Sequence, residues 1–351
     1  MIYCMEEIIY KYPMTCVNYL MRLPYLYFFV LCFTLSVATG SAQSVAYSKP
    51  AGFVTHTLKP QQLNLIGLTL HESVIYAGVI DSVDGNTLGD SNAQFDITLS
   101  SGNSYILEIV DNPGDSSLNG VIQVVVEWQA TQITTPANLA VDNLNPGATY
   151  KLRSPKTISD VFGASNSAGL SAGANMSSAD VIWLHNGVGF DKFYYSEGGG
   201  FGGGEAGWKN EKGEQSGDYP IIYTDAIIIQ SKATLEKKLV VAGVIKTKGV
   251  TLALMEGKFN FISSTYPVGT TLGNSGLETD LISNADIEAS DVVWMPDGEG
   301  DYSRYYYSPE GWKDSVGQAS ADTPLTSGII IERVGIDANA KLTPPATYDD
   351  L

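Results

Sequence analysis

Hydrophobic and polar positions change over in short bursts along most of this chain. Residues 104–110 (SYILEIV), 121–128 (VIQVVVEW), 226–230 (AIIIQ), 239–245 (LVVAGVI) and 328–332 (GIIIE) are rich in β-branched and aromatic residues. Clusters of Gly, Asn, Asp, Ser and Pro separate them. That pattern predicts strands joined by turns. No segment carries the sustained 3.6-residue period of a long amphipathic helix. Helix is expected only as one or two turns, near residues 159–162 with Ser159 or Asp160 as cap, and near residues 280–288. The chain therefore reads as all-β.

The strongest organising signal is an internal repeat. Residues 179–196 read ADVIWLHNGVGFDKFYYS, and residues 290–308 read SDVVWMPDGEGDYSRYYYS. Asp180, Trp183, Gly187, Gly189, Tyr194 and Tyr195 match Asp291, Trp294, Gly298, Gly300, Tyr306 and Tyr307. Both copies continue in the same order, with Gly207-Trp208-Lys209 matching Gly311-Trp312-Lys313 and Thr224–Ile229 matching Thr326–Ile331. A weaker match places Asn64 opposite Asn260, 196 positions on, whereas Trp183 and Trp294 lie 111 apart. The first copy must then carry an insertion, placed at 75–155. The expected layout is two homologous β-sandwich-like modules. The first is discontinuous (43–74 and 156–236) around a small inserted β-barrel or β-sandwich (75–155). The second spans 237–340, and 341–351 is a frayed tail.

The N-terminus departs from this pattern. Met21-Arg22 precedes a run, residues 23–37, that is apolar except for Thr34 and Ser36, and Thr39-Gly40-Ser41-Ala42 follows. These are the marks of a secretory signal peptide over 1–42, with cleavage after Ala42 and a true start possible at Met21 or Met14. An uncleaved anchor is the alternative, although about 15 apolar residues is short of the roughly 20 that a span needs. Cys4, Cys16 and Cys32 all lie in this leader, so the mature chain has no thiol, disulfide or Cys-ligated metal. The whole chain of 351 residues has a formal net charge of −18, and removing Glu6, Glu7, Lys11 and Arg22 with the leader leaves it unchanged. Such a balance argues against nucleic acid and anionic lipid as partners. The mature chain is expected to carry no integral membrane span.

Gly52-Phe53-Val54, residues 64–67 (NLIG), residues 105–108, residues 271–277 (TLGNSGL) and the two Trp…Tyr-Tyr…Gly-Trp blocks together resemble an uncharacterised family of secreted β-proteins from planctomycete and verrucomicrobial bacteria. The resemblance implies secretion and a duplicated β architecture, and it implies no activity. Pro296-Asp297 depart from His185-Asn186 of the first copy, so that turn need not act alike in both modules.

Candidate chemistry centres on the Trp-turn-Tyr-Tyr hairpins. Asn186-Gly187 suits a primed two-residue turn. Side chains alternate along a strand, so adjacent tyrosines must split between faces. Exposed Trp183, Tyr194, Trp208, Trp294, Tyr306 and Trp312 would form a platform on which sugar rings stack; the bland alternative is ordinary cross-strand packing. Asp297, Glu299 and Asp301 form a weak Ca²⁺ candidate that fails the EF-hand pattern, with solvated turn carboxylates as the alternative. Further acidic turns are Asp81, Asp84, Asn86 and Asp90, and residues 111–115. The Gly-rich loop, residues 198–207, lacks the Gly-Lys-Ser/Thr or strand–loop–helix frame of a phosphate cradle and reads as a surface connection. His56, His71 and His185 are scattered, and neither G-x-S-x-G nor H-E-x-x-H is present. The expectation is a secreted, non-catalytic structural or adhesive protein of the envelope or extracellular space, contacting glycans through these aromatics and needing no cofactor. The alternative is a secreted carbohydrate-active hydrolase using a carboxylate pair.

Overall fold

The structure is a computed structural model that describes residues 51–199, 204–349 and 351. The expected leader with its three cysteines, and residues 200–203 of the Gly-rich loop, lie outside the described residues. The fold is all-β: antiparallel sheets with only short helical turns. No helix among the described residues is long and apolar enough to cross a membrane.

Two five-stranded sheets dominate. The first runs Gly207–Asn210, Phe190–Ser196, Val181–His185, Ala226–Gln230, Leu63–Gly67. The second runs Gly311–Asp314, Tyr302–Ser308, Val292–Pro296, Gly328–Glu332, Phe259–Ser263. Strand for strand, the order is the same. A long ribbon flanks each sheet: Ala51–Leu58 pairs with Lys237–Ile245 over eight residues, and Val250–Leu254 pairs with Ala338–Leu342 over five. Residues 237–245 thus pair with the start of the described chain, ahead of the strands that follow residue 250.

Alternation sorts the side chains by face. Ile182, Leu184, Phe193, Trp208, Ile227 and Ile229 of the first sheet point inward, as do Val293, Met295, Trp312, Ile329 and Ile331 of the second. With Leu58, Leu239, Val241, Leu252 and Leu342 from the ribbons they form one continuous core. Burying a side chain such as Ile227 or Ile331 contributes about 1.5–3 kcal/mol. Residues 80–152 hold a separate core around Phe95, Leu107, Ile109, Ile133 and Leu152. It lies between two four-stranded sheets, one of them ordered Val74–Val79, Thr149–Arg153, Tyr105–Asp111, Ile122–Val125.

Buried polar clasps fix the loops, and they recur. Asp180 accepts from the amides of Ser171 (2.7 Å) and Lys232 (2.6 Å), and the Lys237 ammonium stands 3.3 Å away. Asp291 accepts from the amides of Ile282 (2.8 Å) and Val334 (2.8 Å) and pairs with Arg333. Asn64 accepts from the Lys59 amide, and its side-chain NH₂ donates to the carbonyls of Lys59, Gln62 and Ile229. Asn260 does the same with Met255, Lys258 and Ile331. Each clasp ties a strand end to a loop that would otherwise leave amides or carbonyls unsatisfied in the core.

A third cluster joins the segment 80–152 to the rest. Glu108 is buried against Lys246 and Arg153 (3.3 Å), while Arg153 also donates to the Glu72 carbonyl and Lys156 pairs with the Glu72 carboxylate. Burial alone would raise the Glu108 carboxyl; Lys246 and then Arg153 outweigh it and hold the pKa below the usual range.

Of the short helices, Ile158–Phe162 forms where one was expected, but its cap is Thr157, in a capping box with Asp160. Near 280–288 only 3₁₀ turns form, Leu277–Thr279 and Ile287–Ala289.

The two sheets meet at a point of close backbone approach. A Cβ on Gly67 would lie 1.9 Å from the Ser327 carbonyl oxygen and 2.6 Å from Ser263 Oγ. Gly67→Ala is therefore expected to cost about 1–3 kcal/mol through forced repacking. Gly52→Ala, with nothing within 4 Å, should stay within about 0.5 kcal/mol. Urea unfolding of both variants checks this. By the same measurement, Asp180→Ala and Asp291→Ala should each lose about 3–5 kcal/mol, because each leaves a cation and two amides without their partner.

Candidate functional site

The structure divides the six expected platform residues. Trp208 and Trp312 are core residues, 1% and 3% exposed, packed on Tyr195 and Tyr307 respectively. The Trp208 indole N–H donates to the Gly163 carbonyl at 2.8 Å. Tyr194 and Tyr306 do lie on the opposite face, as alternation requires, but they are only 8% and 6% exposed and sit across from Lys209 and Lys313. The expectation that these four present ring faces to solvent is corrected: all four side chains are buried. Trp183 and Trp294 are half-buried on the outer faces, and each lies beneath a cation, Lys192 Nζ 4.5 Å from one ring and Arg304 5.3 Å from the other. The Trp294 indole also donates to Glu332 at 3.0 Å. These two rings already have stacking partners.

In the weak Ca²⁺ candidate at Asp297, Glu299 and Asp301, aspartate carboxylates bond the turn's own amides. Asp297 Oδ1 accepts from the Glu299 and Asp301 amides at 2.7 and 3.1 Å, and those bonds hold its pKa below the usual value. Asp301 accepts from the Tyr302 amide. Asp81 binds Ser91, Asp90 binds the Tyr150 hydroxyl and Asp115 binds the Ser117 amide. Among the described residues, no three His or acidic side chains converge on a point that could hold a metal ion.

What the sequence did not mark is a cleft of about 370 Å³. Five segments of the chain wall it. Ile122, Gln123 and Val124 form one side, and they belong to the last strand of their sheet. Thr251, Leu252 and Ala253 stand opposite, on a strand whose partner, Ala338–Leu342, lies on its other side. The two strands touch at one bridge, Val121 to Thr251, where the Thr251 amide donates to the Gly120 carbonyl at 3.0 Å. The rest of the wall comes from the hairpin His185-Asn186-Gly187, from Thr224-Asp225, and from Asn260-Phe261-Ile262. That hairpin is a four-residue loop, not the primed two-residue turn expected. Asn186 closes it by accepting from the Gly189 amide at 2.8 Å, and within Asn186-Gly187 only the glycine has a positive φ.

Aromatic packing holds the hairpin to the floor. His185 and Phe190 lie 5.4 and 5.1 Å from the Phe261 ring. Burial and then the Lys258 charge lower the His185 pKa, so its imidazole is neutral at pH 7. Asp225 is half-buried, and its side-chain partner is the Thr224 hydroxyl at 3.3 Å. Burial pushes its carboxyl up to about 7 against the pull of that hydrogen bond. A carboxyl so displaced inside a cleft marks a candidate site. It is the one carboxylate among the residues lining this cleft, so the pair that glycoside hydrolysis requires is not assembled there.

A reciprocal groove lies where the second hairpin meets the first sheet. Pro296, Gly298, Asp301 and Tyr302 face Lys59, Asn64, Leu65 and Ile66. It holds about 130 Å³ and has no wall from residues 75–155. Compared with protein-family models, curated proteins and solved structures, the chain matches none of them.

The pKa directions fix a pH test. A raised Asp225 favours the fold below about pH 4, and that contribution is lost as pH rises through 7. His56 and His71, held at about 4 and 3 by burial, act oppositely: their contribution is full above 6.5 and is lost as pH falls. Asp225→Asn should therefore match the parent's urea midpoint near pH 4 and exceed it increasingly towards pH 8.

Proposed function

We propose that this protein is a secreted, non-catalytic binding protein of the envelope or extracellular space, built by duplication of one β-module, and that it holds a glycan segment in the cleft over Asp225. The observation that carries this reading is the lining of that cleft. Gln123, Asn186, Thr224 and Asp225 supply polar groups of both hydrogen-bonding senses, and Phe261 supplies an apolar ring beside them. That mixture suits a sugar, whose C–H faces pack on apolar surface while its hydroxyls seek donors and acceptors. A volume of about 370 Å³ lies at the lower end of ligand sites and accommodates one or two sugar rings. The leader pattern, the cysteine-free mature sequence and the net charge of −18 support an extracellular setting.

A glycan array tests the reading. Binding above background is expected for the parent protein, with loss of about tenfold or more in Phe261→Ala and Gln123→Ala, since each removes a direct contact. Trp294→Ala, on the outer face, should bind as the parent does. Absence of binding, or binding indifferent to both cleft substitutions, would overturn it.

A further inference from the structure

We propose that the sugar unit taken by the cleft carries a free amino group, whose ammonium pairs with Asp225. This rests on the glycan reading above and names the chemistry of the same site.

Other acids of this chain that leave water are compensated. Asp180 faces Lys237, Asp291 faces Arg333, and Glu108 faces both Lys246 and Arg153. Cations face these three, and the Tyr76 and Tyr150 hydroxyls with the Asn92 amide satisfy the equally buried Asp90, as the cost of desolvation demands. Asp225 breaks the pattern. No Lys or Arg lines its cleft, and among the described residues it makes no ion pair within 4.0 Å. Its only side-chain hydrogen bond there is the Thr224 hydroxyl. The raised pKa of the group expresses the same deficit. A cationic ligand would supply the missing charge through a charge-assisted hydrogen bond. Phe261 lines the same cleft.

The reciprocal groove provides an internal comparison. Asp225 corresponds to Ser327, which reaches Gly67 N at 3.3 Å and His56 at 3.4 Å. Phe261 corresponds to Leu65, and Met255 to Lys59, a cation that would repel an ammonium. The two grooves therefore differ at the positions an amine would read. The groups around Asp225 also leave it to the ligand. His185 is neutral at pH 7, and Tyr219 hydrogen-bonds Asp191 instead.

Isothermal titration calorimetry at pH 7, with glucosamine, N-acetylglucosamine and glucose oligomers of equal length, tests the proposal on the purified protein. The glucosamine oligomer should bind about tenfold more tightly than either neutral one, the scale of one charge-assisted contact. In Asp225→Asn that preference should vanish. Equal affinities for all three in the parent protein overturn the amine proposal and leave the glycan reading standing, and that comparison needs no variant. No heat with any of the three, together with an empty glycan array, overturns the glycan reading and this proposal with it.

Discussion

The carboxylates of Asp180 and Asp291 are the constraint on which the rest of the fold depends. Each sits one residue ahead of the central strand of a five-stranded sheet, fully out of water. Each accepts from the amide nine positions upstream and from a second amide two residues beyond the neighbouring strand. A buried charge is tolerated only when it is satisfied on every side. Once the cation is in place, therefore, the long loop before the strand and the exit of the next strand have one arrangement. The asparagine clasps at Asn64 and Asn260 do the same for one edge strand of each sheet. With centre and edge tied, the hydrophobic inner faces meet in register, and a slip of one residue would turn every isoleucine outward.

Repetition of this frame sets up the site. Each hairpin tip reaches over the last strand of the opposite sheet, so the molecule contains two reciprocal grooves by construction. Only one of them is widened. The strand Ile122–Val125 stands against Val250–Leu254 at a single bridge and then leaves it, opening a gap between two sheet edges. The buried ions Glu108, Arg153 and Lys246 anchor that strand's sheet to the chain at Glu72 and just ahead of Val250. Residues 122–124, far from the hairpins in sequence, thereby wall one groove and not the other.

The sequence was informative about strands, and much less so about the site. Alternating runs such as AIIIQ and GIIIE became paired strands because β-branched residues fill a pleated, buried face. The rule that neighbouring tyrosines take opposite faces placed Tyr194 and Tyr306 away from Tyr195, Tyr305 and Tyr307. What alternation could not reveal is that the outer tyrosines are themselves buried, or that Trp208 and Trp312 point inward. Residue type does not distinguish a buried aromatic from an exposed one. The cleft escaped for a different reason. Asp225 looks like any turn carboxylate in Tyr-Thr-Asp, and its neighbours Gln123, His185 and Phe261 are scattered across three segments. The one available signal was a difference between the copies, Thr-Asp-Ala in one and Thr-Ser-Gly in the other.

The account stands or falls on whether the cleft, and not the aromatic outer faces, meets the ligand. Hydrogen–deuterium exchange with and without a saturating amino-sugar oligomer measures this most directly. Slowed exchange confined to residues 120–125, 185–187, 222–225 and 251–262 is the predicted result. Slowed exchange at residues 192–194 and 304–306, or at the reciprocal groove over residues 57–66, with the cleft unchanged, would contradict it.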